Sequence, residues 1–126
     1  MSERQIVLAD WCGARSGDKG DLANVALFAP TQALYGALLR EVTADRVRAH
    51  FGRYVRGVVE RFEAPNVLGL NFVLHEALGG GAARSLRSDP LGKSYGSLLL
   101  RLRITVAGEE LEGATPQRAP AGAGPG

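Results

Sequence analysis

The sequence has a single cysteine, two lysines, few aromatic residues and no long apolar run. One cysteine, Cys12, excludes an internal disulfide and any zinc site built from several thiolates. No apolar run approaches the roughly 20 residues that a membrane-spanning helix needs, and the first residues contain no signal-peptide core. We therefore expect a cytoplasmic protein without a membrane partner.

The chain also lacks a strong excess of either charge. Fifteen basic and 13 acidic residues give a formal net charge of +2, which is too even for a nucleic-acid-binding surface. A length of 126 residues with 45% hydrophobic residues is typical of one soluble globular domain. We predict that this domain covers residues 1–112. Residues 113–126, mostly Gly, Pro and Ala, are predicted to be a disordered tail.

The first half of the chain predicts two strands followed by two helices. Apolar runs over residues 6–11 and 23–29 indicate strands joined by a long loop. Thr31 and Thr43 are expected to cap the two helices, and Gly52 is expected to end the second one. The residues predicted to face the core from these elements are Val25, Leu27, Leu34, Leu38, Val42, Val47 and Phe51.

The second half is predicted to contain strand, helix and strand. Residues 54–62 are rich in valine and aromatic residues and indicate a strand. Residues 66–78 suit a buried helix or a pair of strands; we favour the helix because thirteen residues exceed a usual strand. Leucine and isoleucine alternate with polar residues over 98–106, which predicts a half-buried strand that turns at 107–109 into a short return strand.

These elements predict an α+β fold: a sandwich with a mainly antiparallel sheet and helices on one face. Arg101 and Arg103 are expected on the outer face of the sheet, which is either solvated or covered by another subunit. Leu99, which is predicted on the same face, slightly favours coverage by another subunit.

Residues 14–21, the first segment, combine two cations, two carboxylates and a hydroxyl with glycines. Backbone N–H groups together with Arg15 and Lys19 suit a phosphate or carboxylate, and Ser16 and Gly17 lie between them. Asp18 and Asp21 could instead orient those cations or act on a proton. The alternative is a loop whose charges pair with one another and bind nothing.

Residues 79–94 are called the second segment. They contain the same residue types: glycines, hydroxyl-bearing residues and the cations Arg84, Arg87 and Lys93. If both segments share one end of the sheet, their cations can form a pocket for a multiply charged ligand such as a coenzyme A ester. The alternative is a solvated crossover loop.

Other motif matches are weaker. Residues 91–94 match the end of a phosphate-binding P-loop, but Arg87 replaces its first glycine and a strand is predicted where a helix is required. Ser16 and Lys19 have the spacing of a penicillin-binding enzyme motif, without the helix that such enzymes use. Cys12 beside a basic segment is either a nucleophile or, as we favour, a buried structural thiol.

The two histidines are distant from each other and from Cys12. On the predicted helix, His75 shares a face with Asn71, so it is either a group for proton transfer or, as we favour, a core histidine bonded to an amide. His50 is expected to stabilise carbonyls at a helix end. Because no ligand set has recognisable spacing, we expect no metal and no other cofactor.

The stretches ARSGDKGDLANVAL (residues 14–27) and LNFVLHEALGGGAARSLRSDPLGKS (residues 70–94) resemble the small ferredoxin-like domain of the acyclic terpene utilisation (AtuA-like) proteins. The resemblance covers about residues 6–106 and implies a ferredoxin-like α+β sandwich. It also implies a role in the breakdown of acyclic terpenes and branched acids as coenzyme A thioesters. It supplies no catalytic residue.

Three hypotheses follow. The chain is a small subunit of an acyl-CoA-processing assembly that binds an anionic group and pairs with a larger AtuA-like chain or with copies of itself. Alternatively, it is an independent hydratase or lyase in which Asp18 or His75 moves a proton. The third hypothesis is a structural interaction module that binds no small molecule.

Overall fold

A computed structural model describes residues 3–19, 22–77 and 95–116, with Asp18, Lys19 and Arg53 described by their backbone. In chain order the elements are β1 (Glu3–Val7), α1 (Leu8–Trp11), β2 (Gly13–Lys19), β3 (Leu22–Phe28), α2 (Gln32–Glu41), α3 (Ala44–Phe51), β4 (Val59–Ala64), β5 (Gly69–His75), α4 (Tyr95–Leu99) and β6 (Arg103–Ala107). Short 3-10 turns cover Gly52–Tyr54, Pro65–Val67 and Gly108–Leu111.

Two antiparallel sheets carry the fold. Four strands form the larger sheet in the order β2-β3-β5-β4, and β1 pairs with β6 in a separate two-stranded sheet. Helix α2 contacts both sheets, since Tyr35 Oη donates to the carbonyl of Gly69 at 2.9 Å and Arg40 donates to the carbonyl of Thr105 at 3.1 Å. The predicted α+β sandwich with antiparallel strands and helices is confirmed.

One face of the four-stranded sheet forms the core. On β3 and β5 every second residue is buried because successive side chains of a strand point to opposite faces. The buried residues of these strands are Ala23, Val25, Leu27, Leu70, Phe72 and Leu74. Helices α2 and α3 contribute the predicted core residues Leu34, Leu38, Val47 and Phe51. The predicted burial of Val25, Leu27, Leu34, Leu38, Val42, Val47 and Phe51 is confirmed.

The predicted helix caps are also confirmed. The hydroxyl of Thr31 accepts a hydrogen bond from the Leu34 N–H, and the hydroxyl of Thr43 accepts one from the Arg46 N–H, both at 3.2 Å. Each cap satisfies an N–H that the first turn of a helix leaves without a partner. Gly52 ends α3 at φ 56°, where a side chain would be strained.

The prediction of a long loop before the second strand is wrong. Residues 13–19 form β2, which pairs with β3 from Gly13 opposite Phe28 to Lys19 opposite Leu22. As an edge strand of its sheet, β2 tolerates polar and glycine residues because it is not buried between two other strands. The first segment is therefore mostly extended, and Gly20 and Asp21 lie outside the described residues.

The predicted helix over 66–78 is wrong. This stretch begins in a 3-10 turn, passes through Leu68 at φ 54°, and continues as β5. Its apolar residues occur on almost every side because Val73 is half-buried on the face of β5 opposite Phe72 and Leu74. That pattern masked the alternation of a strand, and the turn residues lengthened the apparent run.

The prediction of a strand over 98–106 is half wrong. Residues 95–99 form α4, and only residues 103–107 form β6. Leu99 is fully buried in the core, so it is not an outer-face residue, whereas Arg101 and Arg103 are exposed as predicted. Residues 108–111 form a 3-10 turn instead of a return strand.

Two other boundaries also differ. The first strand ends at Val7, where α1 begins, and β4 covers Val59–Ala64 instead of beginning at Tyr54. Of the predicted tail, residues 113–116 are described, and Ala114 packs against the core. The remaining tail lies outside the described residues. None of the described helices has the length and apolar character required to span a bilayer.

Candidate functional site

The hairpin end of β2 and β3 lies beside the carboxyl end of β5. Lys19 is the register partner of Leu22, and Leu22 is in turn the register partner of His75. Ala77, the last described residue before the second segment, follows His75 by two residues. The chain thus leaves the described part of the sheet toward the second segment at the end where the first segment has its hairpin.

The chain returns from the second segment at the same end. Tyr95 Oη donates to the carbonyl of Ala77 at 2.5 Å and lies 3.1 Å from the carbonyl of Tyr54. Directly after it, Gly96 packs on β2, where an added Cβ would lie 3.3 Å from the Ser16 Oγ. The residues on both sides of the second segment are thereby joined to each other and to the first segment.

Because β2 is extended, its polar side chains do not all face one ligand. Ser16 is directed toward α4, whereas Arg15 and Gly17 lie on the opposite face of the sheet. Arg15 is exposed and has no hydrogen-bond or ion-pair partner within the described part of the chain. Four residues of strand place the backbones of Arg15 and Lys19 about 13 Å apart.

The face of the four-stranded sheet away from the core is called the open face. The residues of this face that the argument uses are Arg15, Gly17, Leu22, Asn24, Ala26, Val58, Glu60, Phe62, Asn71, Val73 and His75, all exposed or half-buried. At its centre the Asn24 amide donates to the Asn71 amide oxygen at 3.4 Å. Gly17 allows this side chain to lie across β2, since a Cβ there would lie 3.1 Å from Asn24 Oδ1.

His75 is paired with a carboxylate on the open face. Its Nε2 lies 2.7 Å from Oε1 of Glu60 on the neighbouring strand β4. The predicted partner, an amide on the same helix, is wrong because β5 is a strand and Asn71 bonds to Asn24 instead. In the neutral imidazole, donation from Nε2 to the carboxylate leaves Nδ1 as the proton acceptor.

His50 and Cys12 have structural positions. His50 Nε2 donates to the carbonyl of Leu98 at 2.6 Å, so it satisfies the end of α4 instead of its own helix. Cys12 is buried, and the loss of solvation raises the pKa of its thiol to about 12. The prediction of a buried structural thiol is confirmed.

The cations of the second segment, Arg84, Arg87 and Lys93, lie outside the described residues, as do the side chains of Asp18 and Lys19. Their assignment to a ligand site stays a prediction. Within residues 3–19, 22–77 and 95–116, no three potential ligating side chains of His, Cys, Asp or Glu come together as a metal site.

Glu60 and Asn24 are site residues that the sequence did not predict. Their contacts depend on the register of neighbouring strands. Glu60 contacts His75, which is 15 positions away in sequence, and Asn24 contacts Asn71, which is 47 positions away. The alternation of VERFEA over β4 would have placed Glu60 and Phe62 on one face, but no local signal identifies β5 as its partner.

Comparison with protein families gives a match to the AtuA ferredoxin-like domain over residues 6–105. The chain belongs to this family. The match covers both the first and the second segment and agrees with the antiparallel α+β architecture. Comparisons with curated proteins and with solved structures give no match.

Proposed function

We propose that this AtuA ferredoxin-like chain is a cytoplasmic small subunit, or ligand-binding domain, of an acyl-CoA-processing assembly in branched-acid or acyclic terpene catabolism. In the first segment, the proposed contacts to the anionic part of the ligand are Arg15, Gly17 and Lys19 on one face of β2 and Ser16 on the other. The second segment contributes Arg84, Arg87 and Lys93. Its partner is a larger AtuA-like chain or a second copy of itself.

The observation that carries this proposal is that the two segments extend from the same end of the four-stranded sheet. Leu22 and His75 are register partners at the hairpin end, and the Tyr95 hydroxyl joins the two residues that flank the second segment. Both lysines of the chain belong to these segments. Cationic residues in segments that extend from one end of a sheet favour an anionic ligand there, because the electric fields of the cations add.

The extended form of β2 favours a long ligand over a single small anion. A single phosphate would contact both Arg15 and Lys19 only if both long side chains bent toward it, because about 13 Å separate their backbones and Arg15 lies at mid-strand. Coenzyme A carries phosphates at two separated positions, so one molecule can contact both ends of the segment. Gly17, between them, has no side chain of its own, and Asn24 Oδ1 lies beside it.

Isothermal titration of the full chain with coenzyme A and short branched acyl-CoAs tests this proposal. Loss of a charge-assisted contact is expected to raise the Kd about tenfold or more in Lys19→Ala and in Arg84→Ala. Arg4→Ala is the matched control. Arg4 is exposed on β1, in the other sheet, and its substitution removes the same charge. Affinity is also expected to fall as salt is raised.

Equal affinities for the Lys19, Arg84 and Arg4 variants would assign any binding to general charge and remove the proposed site. Absence of heat with every coenzyme A species, in the chain alone and with an added larger AtuA-like chain, would remove the ligand altogether. Inorganic phosphate serves as the short-anion probe and is expected to bind more weakly than coenzyme A.

A second candidate function, an independent hydratase or lyase, is favoured by the 2.7 Å pair of His75 and Glu60. A carboxylate that orients an imidazole is a common arrangement for proton transfer, and Asp18 is a second candidate for moving the proton. The purified chain would then turn over an acyl-CoA, and His75→Gln or Asp18→Asn would identify the group by lowering kcat about a hundredfold. Glu63→Gln, on the same strand as Glu60, is the control.

A further inference from the structure

The open face collects most of the strongly exposed large hydrophobic residues. Among the described residues, four such side chains exceed a third exposure, and three of them lie on this face: Leu22 at 41%, Val58 at 62% and Phe62 at 51%. The fourth, Val67 at 54%, lies in the 3-10 turn beyond β4. Apolar residues concentrated on one face are typical of an interaction surface.

The charges of the open face are separated across the sheet. Arg15 lies on the edge strand β2, and Glu60 lies on the opposite edge strand β4. Between them the centre strands present Asn24, Ala26 and Val73, which carry no charge. One edge is therefore basic and the other acidic, an arrangement that complements itself when a second sheet is turned over the first.

A two-fold axis parallel to the strands gives that arrangement. It places β2 of one copy over β4 of the other, and β3 over β5. Residues of β2 and β4 that lie in the same row across one sheet then face each other between the two copies. In one row Arg15 then faces Phe62, the stacking geometry of a cation and an aromatic ring. Glu60 lies diagonally adjacent, within reach of the same guanidinium.

The sizes of the side chains match in the same superposition. In the next row Glu60 faces Gly17, which has no side chain, and Asn24 Oδ1 lies beside that position. In the first row Asn71 faces Ala26, again a larger residue opposite a smaller one. Sheets packed face to face lie about 10 Å apart, a separation that interdigitated large and small residues fill.

We propose that the open face binds the same face of a second copy of this chain, with the Arg15 side chain of each copy between Phe62 and Glu60 of the other. Three strands of seven residues and one of six present about 400 Å² of sheet, roughly half of what a stable dimer buries on each partner. The dimer is therefore expected to be concentration-dependent, and it forms without ligand.

Sedimentation equilibrium of the full chain, without ligand, from about 1 to 500 μM tests the proposal in the range where weak dimers dissociate. The average mass is expected to rise with concentration from 13.3 kDa toward twice that value. Phe62→Asp and Glu60→Arg are expected to keep the chain monomeric at concentrations where the unmodified chain dimerises. Circular dichroism confirms that each variant is folded.

Two matched controls separate the open face from general effects. Val67→Asp introduces the same charge at an equally exposed position outside the face, and Glu63→Arg makes the same reversal on the other side of β4. Both are expected to dimerise as the unmodified chain does. Combining Arg15→Glu with Glu60→Arg restores the charge pair and is expected to restore the dimer.

A chain that stays monomeric over the whole concentration range would overturn the proposal. A dimer that Phe62→Asp and Glu60→Arg leave intact would equally overturn it, because the contact would lie elsewhere. Coenzyme A binding is measured separately through Lys19 and Arg84, and the variants Phe62→Asp and Glu60→Arg leave Arg15, which both proposals use, unchanged.

Discussion

At the scale of single residues, burial decides what Cys12 can do. The thiol lies beside the basic first segment in sequence, a position that would favour a reactive thiolate. In the fold it is enclosed among apolar side chains, and desolvation raises its pKa from the ordinary 9.0 to about 12. Proximity in sequence to Arg15 therefore does not activate it.

We predict that Cys12 of the folded chain reacts with a thiol reagent at pH 8 at least about a hundredfold more slowly than in urea, because its thiolate population falls with the raised pKa. Stopped-flow labelling measures both rates. Equal rates would show that the thiol is accessible and ionised in the native state.

The same shift affects stability. Between pH 9 and 12 the unfolded chain loses the Cys12 proton while the folded chain keeps it, so this contribution to stability is complete below pH 9 and is lost as the pH rises. Cys12→Ala should flatten that part of the profile measured by urea unfolding. An unchanged slope would contradict the raised pKa.

At the scale of elements, glycine has different roles in different places. Gly57 packs against β5, where an added Cβ would lie 2.8 Å from the His75 carbonyl oxygen. Gly36 lies on the exposed side of α2, where an added Cβ meets nothing within 4 Å. The first position requires the close approach of two backbones, and the second does not.

We expect Gly57→Ala to lower the free energy of unfolding by about 2 kcal/mol, because the backbone of β5 must move. Gly36→Ala is expected to raise it by about 0.5 to 1 kcal/mol through helix propensity. Urea denaturation measures both. A Gly57→Ala variant as stable as the unmodified chain would show that β4 and β5 are not held as closely as described.

Local sequence signals predicted elements well where one face alone is buried. Helices α2 and α3 show helical spacing, threonine caps and a glycine stop, and all of these predictions are confirmed. Strand β5 failed because Val73 adds an apolar residue on its other face, and Leu68 turns the chain at positive φ without being glycine. Leu98 to Leu102 failed because leucines at adjacent positions fit a strand face and a short helix equally well.

At the scale of the whole molecule, the Tyr95 hydroxyl joins parts of the chain that are far apart in sequence. It donates to Ala77 and approaches Tyr54, so it links the two flanks of the second segment to the turn after α3. Tyr35 makes a similar buried bond to Gly69 at the opposite end of the sheet.

We predict that Tyr95→Phe and Tyr35→Phe each lower the free energy of unfolding by about 1 to 2 kcal/mol, because a buried carbonyl loses its donor. Only Tyr95→Phe is expected to weaken coenzyme A binding, since only that bond lies at the proposed site. Thermal denaturation and titration of the two variants check this. If both variants lowered the affinity for coenzyme A equally, the loss of affinity would follow from the loss of stability alone.

The composition of the candidate site could be predicted from the sequence, but its arrangement could not. Arg15, Ser16 and Lys19 are recognisable as polar residues in a glycine-containing segment, and their resemblance to the AtuA-like domain agrees with the family match. That Arg15 and Ser16 lie on opposite faces follows only from the pairing of β2 with β3.

The amino-acid sequence alone determined the α+β class, the two capped helices and the family, because these depend on local propensity, periodicity and residue identity. Only the tertiary structure decided that the hairpin of the first segment and the flanks of the second share one end of a sheet. It also decided that His75 meets Glu60 and that an open face remains. The physical reason is strand register, which joins residues distant along the chain and has no signature within either strand.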